Sequence, residues 1–162
     1  MDPHDEPAIV ARLAHEARRP AAEERPGRCR AVIFNPDGTK VLGIARNKPG
    51  REPYVVYPGG GLEDTDATAL DGLWRELDEE VQLGQAQVRI TGDVLVQDAE
   101  FFYIGVAAEE FDGMVVGGPE AEADEAVSGT YTPGWFDVAQ LHQLRMFPEE
   151  ITSLVVSAAA TE

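Results

Sequence analysis

Three glutamates, Glu76, Glu79 and Glu80, stand in the run RELDEE a short way downstream of a triple glycine, Gly59 to Gly61. Crowded carboxylates on one helix repel one another and cost helix stability, so the cluster needs a reason. With Leu70 at zero on a wheel of about 100° per residue, Glu79, Glu76 and Glu80 fall at roughly 180°, 240° and 280°. All three share one face, beside a stripe of Leu70, Leu73, Trp74, Leu77 and Val81. Such a helix buries one side and offers the other as a set of hard oxygen donors. Mg²⁺, or Mn²⁺ in its place, prefers these oxygens, keeps several waters and is commonly shared with substrate phosphates. A dication between the glutamates makes their like charges tolerable. Gly72 lies on the same face one turn before Glu76 and leaves space there, and Arg75 is spaced to pair with Glu79 at i, i+4. The glycines allow close approach of backbone to a ligand or metal, with Gly60 the candidate backbone ligand, and a sharp turn into the helix. Taken alone, ExxEE fits a solvated acidic helix face better.

The elements that must position these residues follow from turn chemistry and periodicity. RCRAVIFN and KVLGIAR flank PDGT, the pattern of a β-hairpin. YVVYP reads as a short strand stopped by Pro58 and the glycines, and residues 68–82 carry helical periodicity. QVRITGDVLVQ and EFFYIGVAAE predict a strand pair, GTYTPGWFDV a last strand, and VAQLHQL and PEEITSLVVSAAA two helices, the second opened by Pro148. Residues 110–129, with glycines and clustered acids, read as a long loop. Residues 1–27 read as an appended arm or linker with a short helix near Ile9 to Ala17, and residues 28–162 as the one folded domain. Mixed strands with a few helices give an α+β or α/β class.

Composition narrows the function. The formal charge of −17 disfavours nucleic-acid polymers and anionic membranes as partners. It is uneven: residues 1–51 hold ten Lys/Arg against seven Asp/Glu, and residues 52–162 hold three against twenty-three. A local basic segment such as ARNKPGR can therefore still meet an anionic ligand. No apolar run reaches the roughly 18 residues of a membrane span, and MDPHDEP has no secretory pattern, so a cytoplasmic location is expected. The single Cys29 offers neither a disulfide nor a zinc knuckle and suits a small buried position. His4, His15 and His142 have no metal-ligand spacing.

The stretch PGGGLE…RELDEEVQL resembles the signature of the Nudix, or MutT-like, hydrolases: Gly, five residues, Glu, seven residues, then Arg-Glu-apolar-x-Glu-Glu-x-Gly-apolar. Gly60 or Gly61 fills the first place, and Arg75, Glu76, Leu77, Glu79, Glu80 and Leu83 fill the rest. The resemblance extends over roughly residues 28–156. Two positions depart from it. Counting back from Arg75 puts Ala67 where the pattern has Glu, counting forward from Gly60 puts Asp66 there, and Gln82 replaces the last glycine. Because a continuous helix sets the count from Arg75, Ala67 is taken as the equivalent and Asp66 is expected to be a solvated loop residue.

The resemblance implies an α/β/α sandwich with a mixed central sheet and Mg²⁺-dependent hydrolysis of a diphosphate joined to a nucleoside or another group. Glu76, Glu79 and Glu80 would hold the metal, with Arg75 supporting their face. The proton acceptor is sought in the distal loop, at Glu120, Glu122 or Glu125, and Glu120 and Glu125 lead. Arg46, Lys48 and Arg51, in the loop before YVVYP, are candidate phosphate ligands, with Arg30 a weaker one. Tyr54, Tyr57, Phe102, Tyr103, Tyr131 and Trp135 are candidates for base stacking, although aromatics alternating along strands are more often core. The expected partner is a small diphosphate: an NTP, a nucleotide sugar or a dinucleoside polyphosphate. An isoprenoid or inositol diphosphate, a binding module without turnover, and a homodimer all stay open.

Overall fold

The computed structural model describes residues 7–16, 27–91, 95–97, 100–108 and 130–159. Asn35 and Asp37 close the first turn: the Lys40 amide donates to Asn35 Oδ1 at 2.9 Å, and the Thr39 hydroxyl donates to Asp37 Oδ1 at 2.6 Å. Gly38 takes φ +78° there, a conformation that favours glycine. This turn joins β1 (Arg28–Phe34) to β2 (Lys40–Asn47). The chain continues as β3 (Tyr54–Val56), β4 (Gly59–Gly61), α2 (Ala69–Val81), β5 (Val88–Ile90), β6 (Leu95–Gln97), β7 (Glu100–Ala107) and β8 (Thr130–Asp137). A 3₁₀ turn (Val138–Gln140), β9 (Met146–Phe147) and α3 (Glu149–Ala159) follow, and α1 (Ala8–Glu16) precedes them all.

The described strands form one mixed sheet of nine, ordered β5-β7-β1-β2-β3-β9, with β4 on β1, β6 on β7 and β8 on β2. β1 runs parallel to β7, and β3 parallel to β9. Strand alternation divides the core into two layers. Cys29, Ala31, Ile33, Leu42 and Ile44 meet Leu73, Leu77 and Val81 of α2 on one face. Val32, Phe34, Val41 and Ile104 meet α1 and α3 on the other. The result is an α+β sandwich, with helices on both faces of the sheet. Leu73 and Leu77 are fully buried, and each contributes on the order of 2 kcal/mol of transfer free energy.

Four sequence expectations change. Residues 8–16 are not a free arm, because Ile9, Val10 and Leu13 are buried in the main core and Arg12 Nε donates to Ala158 O at 2.7 Å. The strand stopped by Pro58 resumes at once, since Gly59–Gly61 pair with Arg30, Cys29 and Arg28. VAQLHQL does not make a helix; its first three residues form the 3₁₀ turn, and Met146 N–H reaches back to Leu141 O at 3.1 Å to start β9. Arg46 belongs to β2 and not to the loop after it.

Helix α2 is closed at both ends by local chemistry. Thr68 Oγ1 accepts from the Asp71 amide at 3.1 Å as N-cap. At the other end Gln82 takes φ 59°, ψ 38°, and its N–H reaches Asp78 O at 3.1 Å. This left-handed position is where the family signature has glycine, which adopts it without the cost a Cβ incurs. Left-handed backbone costs a side-chain-bearing residue roughly 1–2 kcal/mol, partly offset by the larger unfolded entropy of glycine. Gln82→Gly is therefore expected to stabilise the protein by about 0.5–1 kcal/mol in urea unfolding. A loss of stability would mean that the Gln82 side chain contributes more than its backbone costs.

Candidate active site

The site lies where the sheet parts. β1 and β2 pair at Phe34 and Val41, but further along β2 pairs with β3 through Ile44, Ala45 and Arg46, while β1 takes β4. The segment from Val56 to Gly59 thus crosses from the edge of β2 to the edge of β1, and Ala31 N–H donates to Pro58 O at 2.9 Å. α2 lays its carboxylate flank on this crossing. The Gly59 amide donates to Glu80 Oε1 at 2.9 Å, and Glu80 is buried. A Cβ on Gly60 would sit 2.5 Å from the Glu76 carboxylate, so the absence of a side chain there is what admits Glu76. Glu79 is the open member, with 44% of its side chain exposed.

Arg75 ties the helix to the loop before it. Its Nε and Nη2 grip Asp66 in a fork, at 3.1 Å to Oδ1 and 2.9 Å to Oδ2, and Nη2 also donates to Gly61 O at 3.0 Å. Nη1 faces the helix carboxylates, 3.0 Å from Glu76 Oε1 and 3.5 Å from Glu79 Oε2, with Glu63 Oε1 at 3.6 Å. The hydrogen bond to Asp66 is the largest cause holding the guanidinium pKa above its ordinary value; partial burial opposes it, and Glu76 adds to it.

Asp66 is therefore not the solvated residue expected from the helix-based register. It is 7% exposed, accepts the Glu63 amide at 2.8 Å and clamps Arg75, whereas Ala67 is exposed. The extra loop residue brings a shorter acid to the place the signature gives to Glu, and only the loop-side count could have found it. Gly72 receives this loop: a Cβ there would meet Leu62 and lie 2.9 Å from Asp66 Oδ2. The space it leaves holds the clamp and not a ligand.

The remaining candidates divide. Arg46 is half-buried and in register with Tyr54, while Lys48 and Arg51 lie in the turn that follows. The Arg51 guanidinium is 4.6 Å from the Tyr54 ring centre, and Phe147, unremarked in the sequence, stands 6.2 Å from the same ring. Arg30 shares the alternation face of Val32, where it donates to Tyr57 O at 2.9 Å and pairs with Glu100 at 3.4 Å. Tyr57 and Phe102 are core, packed edge to face at 6.1 Å, and Tyr103 and Trp135 pack partly buried against the α2 layer. Glu120, Glu122, Glu125 and the Tyr131 side chain lie outside the described residues.

Among the described residues, no three His, Cys, Asp or Glu side chains converge into a ready cation cage. The donor set nevertheless fits Mg²⁺ or Mn²⁺ in chemistry: carboxylate oxygens on one helix flank, one of them seated in a cradle at Gly60 that a Cβ would fill.

Residues 25–155 match the NUDIX domain. The chain belongs to the Nudix (MutT-like) hydrolase family. Similar solved structures include a MutT of Aliivibrio salmonicida or Vibrio cholerae, 22% identical, covering 83% of this chain and 98% of that one with a TM-score of 0.52. The Ap4A hydrolase of C. elegans is 16% identical over 82% of this chain and 96% of its own, with a TM-score of 0.58. The dihydroneopterin triphosphate pyrophosphohydrolase of E. coli is 14% identical over 83% and 94%, with a TM-score of 0.55. At these identities the likeness is one of fold. No curated protein sequence matches the chain. No described helix is long and apolar enough to cross a membrane.

Cys29, in register with Gly60, is wholly buried beneath the site. Burial chiefly, then the charges of Glu76 and Asp66, push its thiol up from 9.0 to about 12. The native state thus holds this proton longer than the unfolded chain does. Its stabilising contribution is complete below pH 9.0 and is lost as pH rises toward about 12. Native protein at pH 8 is expected to resist a thiol reagent and to label fully in urea; fast native labelling would contradict a buried thiol.

Proposed function

We propose that the chain is a Mg²⁺-dependent pyrophosphohydrolase of nucleoside di- or triphosphate derivatives, with Mn²⁺ able to substitute. The observation that carries this is the docking of the α2 carboxylate flank on the glycine strand, with Glu80 bonded to Gly59 and Glu76 seated at Gly60. Glu76, Glu79, Glu80 and the Gly60 backbone would hold the ion. When bound, it would offset diphosphate charge and activate water. The protein's own part is to set these oxygens at the parting of β1 and β2, and to supply a carboxylate that takes the proton of the attacking water. We assign that acceptor to Glu120 or Glu125. Arg46, Lys48 and Arg51 are the proposed ligands of the outer phosphates. An Ap4A hydrolase and a dihydroneopterin triphosphate pyrophosphohydrolase on the same fold support a polyphosphate substrate. So does the Nudix domain of Shewanella oneidensis NrtR complexed with ADP ribose, at a TM-score of 0.53.

The test is release of phosphate, pyrophosphate or nucleoside monophosphate from a panel of diphosphates with Mg²⁺ or Mn²⁺. Glu79→Gln and Glu80→Gln are each expected to lower kcat by at least roughly two orders of magnitude while unfolding remains cooperative. Near-normal turnover in both would remove the helix face from the chemistry. Replacing Lys48 and Arg51 together by Ala is expected to lower kcat/KM a few-fold at low ionic strength, by about threefold or more, with the gap closing as salt rises. A salt-independent deficit would mean that the two side chains do not act through charge.

A further inference from the structure

The guanidinium of Arg75 is fixed from behind and active in front. Its Nε and Nη2 are engaged by Asp66 and Gly61 O, so the loop holds it in place. Nη1 lies against Glu76 and Glu79, two of the three carboxylates to which the proposed function gives the metal. A cation therefore already sits on part of the donor set. Glu80 is held differently, by the Gly59 amide.

We propose that Arg75 is the resident counter-ion of this carboxylate face, so that a divalent ion binds by exchange and must draw Glu76 and Glu79 away from Nη1. This inference rests on the metal reading above. Because Asp66 anchors the guanidinium, the exchange has to be made by the carboxylates. Glu79 has the freedom for it at 44% side-chain exposure, while Glu76 at 13% is confined against Gly60. The fixed positive charge lowers the affinity for a free divalent ion. A diphosphate brings oxygens and negative charge of its own and shifts the balance, so metal and substrate load together. Arg75 is in this sense a positioning residue, and its charge sets how readily the site fills.

The experiment is Mn²⁺ binding to the metal-free full-length chain without substrate, read by the electron paramagnetic resonance of the free ion. Arg75→Gln is expected to tighten binding by about tenfold, the scale of one removed charge at a partly screened contact, although it loses the fork to Asp66. Arg75→Lys keeps the charge without the fork and is expected to stay near the wild-type affinity. Unchanged or weaker binding in Arg75→Gln, with Glu79→Gln loosening Mn²⁺, would overturn the exchange and leave the metal reading standing. Mn²⁺ binding that neither Arg75→Gln nor Glu79→Gln alters would overturn both. A titration of the wild type with Mg²⁺ needs no variant to fold. The guanidinium resonances of Arg75 are expected to shift as Nη1 loses its carboxylates, and resonances that stay fixed to saturation would refute the exchange.

Discussion

From Glu52 to Gln87 the chain has one basic residue, Arg75, among nine acidic ones. Mutual repulsion of carboxylates is the constraint around which this half of the molecule is arranged. The structure meets it by letting a single guanidinium serve the glycine strand, the following loop and the helix together. A lysine could not reproduce this, because its compact ammonium lacks the planar fork that grips both oxygens of Asp66 while reaching Gly61 O and Glu76 from its other edge. The backbone supplies the rest of the compensation, through the Gly59 amide on Glu80. Charge crowding thus becomes a device for fastening the glycine strand, the loop and the helix to one another.

The sheet explains why the fastening occurs there. β2 leaves β1 after a short pairing, and the crossing segment spans the two edges. Its glycines are needed for contact more than for flexibility: at Gly59, with φ +144°, a Cβ would run into the backbone of Cys29 and Arg30. Beneath them Cys29 is small and buried, and its thiol is lifted chiefly by that burial, with a lesser part from the charges of Glu76 and Asp66.

Local patterns in the sequence were sufficient for the hairpin, for α2 and for α3, because turn residues and a 3.6-residue stripe are encoded among near neighbours. The shared face of Glu76, Glu79 and Glu80 follows from spacing alone. What was not legible depends on distant partners. Gly59–Gly61 become a strand only because Arg28–Arg30 lie beside them, and triple glycine has no strand propensity of its own. Asp66 is expected to be solvated because the count from Arg75 along a continuous helix gives the signature place to Ala67, and only the folded loop brings Asp66 onto Arg75, nine residues on. VAQLHQL has helical composition, but the short pairing of Met146 and Phe147 with β3 claims the chain before a helix can propagate. The distal acids Glu120 and Glu125 rest on composition and resemblance and lie outside the described residues.

The seating of α1 also bears on what counts as the unit of this fold. Pro7 and Ile9 lie on the Gly38 turn, and Arg12 reaches the carbonyl of Ala158, so the first described helix closes over both the opening hairpin and the last helix. The matched family region begins at residue 25, beyond this helix, and ends at 155, within α3. A fragment trimmed to those limits would keep the carboxylate helix and its clamp yet lose four side chains of the shared core, Ile9, Val10, Leu13 and Ala158. The stretch that bears the family pattern is therefore smaller than the stretch that seals its own interior.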